Sequence, residues 1–442
     1  MPQPMRRAAL AALVSAGAAG GAPAQDLDPD LNLEGKILSA TISQRFELND
    51  NYDLDDPSPG TSYFTDTRLN LGFLNATDTQ TFRLGLDTGL RALWQAEEDF
   101  KFTVASPTSA NVGYNQAWID GSFGANLRFR LRNVDFIDDL IFEDDGGVII
   151  VPDDLNQQER NTLEQRYDAD LALVLREGAP SSYRFALQGT EFAYSDEAEN
   201  LRPRSTYYGE AEWRLRLNPV LSGTLLGSYY YFDTDAGTAS TVNVAEIDVG
   251  VVYEPSTELS AALGIGYADR TREQTIDGVR SETEDEQGIT VRGGIDYSVA
   301  DDLSLSADAR VTTAAPSTRL SGGVRASYAL PRGSLSARLT QDYAGDSGGD
   351  EVRVTTAGIG LTHTINTISS LGFNFAYGLQ ANQDDPEEPD INRADFSAIY
   401  SRSLTEAVFA NVGYKYRWRD QDESASSNAI FFTVGRAFET SF

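Results

Sequence analysis

The residues of this chain that could act on something else are arginines set at every second position. Arg128, Arg130 and Arg132 form one row, Arg214 and Arg216 another, and Arg417 is followed by Arg419. Carboxylates take the same spacing at Asp168 and Asp170. Fixed charges of both signs on one wet surface would create a strong transverse field that orients polar solutes. The same charges could instead neutralise one another as a lattice of ion pairs that stiffens a wall, and both readings stay open on the sequence. Acid–base and nucleophilic chemistry have less to work with. There is no cysteine and one histidine, His363, which shares its parity with Ile359, Leu361 and Ile365 and is expected on an apolar face. No phosphate loop, zinc-ligand spacing or dinucleotide fingerprint occurs. Carboxylates are abundant, but none is isolated in an apolar run where its proton affinity would suit catalysis. No enzyme activity, cofactor or metal centre is therefore expected. Asn49–Asp56 and Asp384–Glu388 cluster oxygens that could meet Ca²⁺, but neither has the spacing of a calcium loop. Solvated surface charge is the simpler expectation for both.

Charge at a period of two requires strands. In Gly209–Leu217 the odd positions are small or apolar and the even ones charged, and Asn126–Arg132 and Tyr414–Arg419 repeat the pattern. A helix would scatter these charges around its circumference, whereas a strand gathers them on one face. About twenty alternating runs can be counted, from 38–48 to 429–442 and including 112–123 and 127–138; 18 or 22 are also compatible. Tight turns such as Asn218-Pro219, Pro255-Ser256, Asp301-Asp302 and Pro331-Arg332-Gly333 alternate with longer, mostly acidic connections. Among the long ones are 49–62, 95–111, 139–161 and 271–287. Followed strand by strand, the parity places Arg128, Arg130, Arg132, Arg166, Arg184, Arg214, Arg216, Arg417, Asp168 and Asp170 on one interior surface. Gly85, Gly89, Ser222, Ser304, Gly358 and Gly360 share that surface and leave room for water, while Leu215 and Leu361 point the other way.

Composition narrows the partners. The chain has 67 acidic against 35 basic residues, a formal net charge of −32, which excludes a nucleic-acid partner. No stretch of 18 uninterrupted apolar residues follows the N-terminus, so any membrane reading has to rest on strands. The N-terminus itself reads as an export signal: Arg6 and Arg7, then the apolar Ala8–Gly21, then the small-x-small site Ala22-Pro23-Ala24. Residues 1–24 are expected to be removed, leaving 25–442 as one domain. An exported chain without cysteine excludes a disulfide scaffold.

The chain also ends in a strand-like run in which Phe432, Val434, Phe438 and the terminal Phe442 share one parity, interrupted by Arg436 and Thr440. Together with the export signal and the hairpin pattern, this resembles a Gram-negative outer-membrane β-barrel protein. The likeness covers the whole mature chain but is to an architecture, with no subfamily matched. It implies an all-β, transmembrane, antiparallel up-and-down barrel of about 20 strands (18–22), with short periplasmic turns and long acidic outer loops. It implies outer-membrane lipid and lipopolysaccharide as surroundings, and barrel assembly machinery that engages Phe442. Tyr207, Tyr229, Trp94, Tyr414 and Trp418 would fit interfacial girdles. The connection Asp138–Asn161 resembles in position the third loop of general porins, which folds inward. Val148–Val151 could then pack on the wall while Asp144, Asp145, Asp153 and Asp154 face Arg128, Arg130, Arg132 and Arg166 across an eyelet; the alternative is an exposed acidic loop. About ten residues separate the cleavage site from the first strand, too few for a plug domain, which argues against a TonB-dependent transporter. The expected function is a porin-like channel for passive diffusion of small hydrophilic solutes. An export channel for an anionic polysaccharide and a non-conducting structural or adhesive barrel are the alternatives.

Overall fold

The structure is a computed structural model. It describes residues 35–442 apart from 96–99, 106, 134–140, 144–147, 151–161, 196–202, 235–237, 277–278, 301, 315–316, 346–350, 383–389 and 422–423. The export signal, Asp144, Asp145, Asp153, Asp154 and the acidic Asp384–Glu388 lie outside the described residues.

Every described element is a strand. The first nine are β1 (Gly35–Asn49), β2 (Ser62–Ala76), β3 (Gln80–Trp94), β4 (Lys101–Val104), β5 (Thr108–Trp118), β6 (Gly121–Asn133), β7 (Ile141–Glu143), β8 (Val148–Ile150) and β9 (Leu163–Leu175). Next come β10 (Ser181–Tyr194), β11 (Arg204–Asn218), β12 (Leu221–Thr234), β13 (Thr238–Tyr253), β14 (Leu259–Ile276), β15 (Val279–Ala300) and β16 (Leu303–Ala314). The last are β17 (Ser317–Leu330), β18 (Gly333–Gly345), β19 (Glu351–Asn366), β20 (Ser369–Asn382), β21 (Ile391–Ser403), β22 (Val408–Asp420) and β23 (Ser424–Ser441).

Twenty of these strands form one closed antiparallel ring, in the order β1, β2, β3, β5, β6 and then β9 through β23. The circle closes between β23 and β1, from Ile37 opposite Ser441 to Asn49 opposite Ala429. Beyond the ladder, the Phe442 amide donates to the Lys36 carbonyl at 3.0 Å. Closure satisfies every strand's hydrogen bonds within the ring, the condition for a sheet to exist in lipid. The short β4 pairs with the outer half of β3 while β5 pairs with its inner half. β7 and β8 pair only with each other.

The two faces of the wall divide as the alternation requires. On β11, Trp213, Leu215 and Leu217 are exposed on the outer face, and Glu210, Glu212, Arg214 and Arg216 occupy the inner one. On β23, Ile430, Phe432 and Val434 face out while Ala429, Phe431 and Thr433 are buried on the inside. Trp94, Tyr207, Tyr229 and Tyr414 stand exposed on the outer face, as girdle residues do. Phe232, from the same aromatic run as Tyr229, is buried on the inner side instead.

Two boundaries differ from the sequence reading. The runs expected at 112–123 and 127–138 are β5 and β6, and the chain turns between them at Ile119 and Asp120. Asp120-Gly121 is a strong hairpin signal. It was masked because Ile119, fully exposed in the turn, prolongs the apolar alternation. Gly121 is required there, since a Cβ would lie 2.3 Å from the Val174 carbonyl oxygen and 2.6 Å from the Trp118 ring nitrogen. The second difference is the connection expected at 271–287. It is mostly ladder, because β14 and β15 stay paired from Leu259–Tyr297 up to Ile276–Val279. Both faces of this extension are polar, so it carries no apolar alternation to read, and Arg270 holds Glu286 across it at 3.1 Å.

Candidate functional site

The inner face of the ring is the candidate site, and its charges are placed by register. On β6 and β9, Arg132 and Glu164 are opposed and joined at 2.8 Å, and Arg128 stands opposite Asp168. Asp168 also accepts from Arg166 Nε at 2.8 Å and from the Thr190 hydroxyl at 2.9 Å. Asp170 accepts from Asn126 at 3.4 Å. Arg184 on β10 lies 3.7 Å from Glu210 on β11. Near the short-turn end, Arg214 reaches Glu254 at 2.5 Å and Arg216 donates to the Gly178 carbonyl at 3.3 Å. The arginines expected to line a pore therefore sit on the inner face; Arg132 and Arg184 meet a carboxylate on the neighbouring strand, Arg166 one on its own strand, and Arg214 one just beyond β13.

Arg417 differs, because a loop covers it. Residues 50–61, between β1 and β2, fold back onto the inner wall rather than standing in solvent. Asn49 starts the fold: its Oδ1 accepts from the Asn51 amide at 2.9 Å and the Ser427 hydroxyl at 2.7 Å. Asn51 donates to the carbonyls of Asp55 at 2.8 Å and Ser426 at 3.0 Å. These links drive Tyr52 and Leu54 inward until both are buried, Leu54 completely. Leu54 adopts φ +56°, a left-handed conformation unusual for a branched apolar side chain, and its full burial offsets that strain. Tyr52 packs edge-on against Phe64 at 5.2 Å. Its hydroxyl accepts from Arg91 Nη1 at 2.8 Å, and its carbonyl accepts from Arg417 at 3.1 Å. Arg91 in turn grips Asp66 with two bonds, at 2.7 and 2.8 Å. Burial pushes the Tyr52 phenol above its usual range, although the Arg91 and Arg417 guanidiniums pull it the other way. The oxygens of Asn49 and Asn51, expected as solvated surface charge, are thus internal fasteners of the loop.

A second segment leaves the wall between β6 and β9, the fifth and sixth strands around the ring. Its hairpin, β7 and β8, lies against β19 and β20, the sixteenth and seventeenth. The hairpin therefore stands against the wall roughly opposite, around the ring, to the two strands it connects. His363 sits at the short-turn end of β19, exposed and on the outward parity of Ile359.

The residues that sequence reasoning under-weighted are Arg292, Arg310, Arg325 and Arg338, one on each of β15 to β18. Their interior parity was legible. Their opposition across strands was not, because register depends on turn positions that alternation fixes only to within a residue or two.

No protein-family model matches the chain, and no curated protein is similar to it in sequence. Solved structures similar in outline include the ferric-catecholate import receptor Fiu of E. coli K12, at 8% identity over 92% of this chain and 82% of that one, with TM-score 0.48. The ferric enterobactin receptor PfeA of Pseudomonas aeruginosa matches at 10% identity over 92% and 81%, with TM-score 0.45. The iron transporter FrpB of Neisseria meningitidis matches at 11% identity over 91% and 81%, with TM-score 0.49. Likenesses this distant leave the assignment to the chain's own ladder: a closed, even-numbered antiparallel ring, apolar outside and charged inside. The chain is an outer-membrane β-barrel.

Proposed function

We infer that this barrel is a porin-like channel for passive diffusion of small hydrophilic solutes. The observation that carries the reading is the ring of twenty strands around a charged inner face. With strands about 4.8 Å apart and tilted by about 40°, such a ring is roughly 40 Å across at the backbone. Side chains from the wall alone cannot fill that width. Water occupies what remains between the tucked 50–61 segment on one side and the β7–β8 hairpin on another. The 134–162 connection is assigned as the constriction, with Asp144, Asp145, Asp153 and Asp154 as its charges. In the same reading, Phe442 is the contact for the barrel assembly machinery, and lipopolysaccharide surrounds the outer rim.

Planar-bilayer recording of the purified protein tests this. The wild type should pass ions in discrete steps, and deletion of residues 144–154 should raise the step size. The ring should still assemble in the deletion, because β7 and β8 pair with each other in a separate sheet and take no part in its ladder. Absence of any conductance would favour the non-conducting barrel. An unchanged step size would remove this connection as the narrowest point.

A further inference from the structure

Several ion pairs of the wall have their two charges at different depths. On the inner face, the Glu246 side chain is 3% exposed and its partner Arg310 41%, while Asp248 is 0% exposed and Arg292, 3.9 Å away, 33%. Arg184 and Glu210 keep the same order, at 53% and 19%. In each pair the carboxylate lies against the sheet and the guanidinium faces the lumen. Part of the cause is length, since an arginine stem carries its charge further from the backbone than an acidic side chain can. The rest is β14. Its outer positions Leu263, Ile265 and Tyr267 are large, but its inner ones are Ala262, Gly264, Gly266 and Ala268. A Cβ at Gly266 would stand 2.1 Å from Asp248 Oδ1, and one at Gly264 2.9 Å from Arg292 Nε. Asp248 therefore sinks onto bare backbone, where neither carboxylate oxygen has a hydrogen-bond partner. The order is not universal. Arg68 and Asp87 are about equally exposed, and Arg214–Glu254, at the turn end, and the covered Arg393–Asp395 reverse it.

A pair with both charges at one depth presents almost no net field to a passing ion. A pair whose cation is nearer the water does present one, because Coulomb energy falls with distance and the buried end is further away. Arg292 and Arg310 stand directly opposite each other, so two such positive ends adjoin. The acidic outer connections reach them only weakly. Arg310 lies four residues below Ala314, where β16 ends, or about 13 Å along the strand, beyond the screening length of about 10 Å at 0.1 M salt.

We propose that the lumen wall from β13 to β16 is radially polarised, with acids against the sheet and bases toward the water, and that it selects small anions for passage although the whole chain carries a formal net charge of −32. Arg292 and Arg310 set the preference, and Asp248 and Glu246 anchor them. The proposal rests on the channel reading and gives it a solute class. A lattice of pairs that merely stiffened the wall would be indifferent to the sign of the solute.

The experiment removes charge of both signs in equal amounts. Glu246→Gln with Arg310→Gln, and the quadruple variant that adds Asp248→Asn and Arg292→Gln, leave the net charge of the chain unchanged. Reversal potentials in a KCl gradient should show wild type passing chloride over potassium by roughly threefold or more, and the quadruple variant losing that preference. Arg68→Gln with Asp87→Asn, a pair of equal depth, should keep the wild-type ratio. A wild type that prefers potassium, a ratio that the quadruple variant leaves in place, or an equal shift in the Arg68–Asp87 variant overturns the proposal. A second readout needs no current. The chain has no cysteine, and Ser321→Cys places a thiol directly opposite Arg310. Its rates with a sulfonate-bearing and a trimethylammonium-bearing methanethiosulfonate, each normalised to a free thiol, should favour the anionic reagent, and the quadruple variant should lose the bias. Where the quadruple variant does not assemble, the Glu246–Arg310 double variant and the wild-type ratios decide. A barrel that never conducts defeats the channel reading instead. The thiol ratio then still decides the wall: an anionic bias that the pair variants remove supports it, and no bias, a cationic one, or one that persists in them overturns it.

Discussion

Beneath the 50–61 segment, between β22 and β3, the inner charges Asp66, Arg91 and Arg417 are buried and matched; between β15 and β18 the inner arginines are half-buried or exposed, and doubled. In the first sector Asp66 and Arg91 share two hydrogen bonds beneath Tyr52, and Arg417 is capped by the same loop. In the second, arginine opposes arginine twice and small residues fill the gaps. One wall, built from the same side chain at the same period, serves opposite ends. Where chain covers it, arginine must be paired, because a lone buried charge is very costly. Where the wall is less covered, arginine can stand opposite arginine, because solvent screens the repulsion between them.

Arg91→Leu should expose the contrast most sharply. It leaves the Asp66 carboxylate buried without its partner, a loss of roughly 3–5 kcal/mol, read as a lower urea midpoint for the heat-modifiable folded band. A loss below about 1 kcal/mol would mean that Asp66 is hydrated and the sector is not sealed. Tyr52→Phe is gentler. Arg91 Nη1 loses its acceptor while the ring stays against Phe64, so about 1–3 kcal/mol should go. If that variant matched wild type in the same assay, the hydroxyl would not be fastening the loop. Arg325→Ser has the smallest expected effect and the opposite sign. Relief of cross-strand repulsion should leave stability unchanged or raise it by up to about 1 kcal/mol. A clear destabilisation would make Arg325 a structural residue and erase the difference between the sectors.

Strand number and interior parity were legible because they depend on a local period of two. Leu215 and Arg214 take opposite faces whatever the rest of the chain does. What the sequence hid was non-local. Ile119 carried the alternation through a turn, so one hairpin was displaced. The β14–β15 extension above the membrane has no apolar face to announce it. The inward fold of Tyr52 and Leu54 depends on Ser426 and Ser427, far along the chain. The opposition of Arg325 and Arg338 depends on how β17 and β18 align, which no single strand encodes. Asp120-Gly121 was a readable signal; the others had none in one sequence.

The tucked 50–61 segment also has a consequence for the order of assembly. It is made near the start of the chain, yet its anchors, Arg417, Ser426, Ser427 and Asn428, come from the last two strands. Sequence separations of 365 to 378 residues mean that these bonds cannot form until nearly all of the chain has been delivered. The segment therefore works as a clasp over the seam between the oldest and the newest strand. While the circle is still open, Asn49, Asn51 and Tyr52 lack these partners, and that edge remains free to separate. Once β23 arrives, one event zips the ladder and fastens the clasp, so a nearly finished barrel and a finished one differ by more than a single strand's hydrogen bonds.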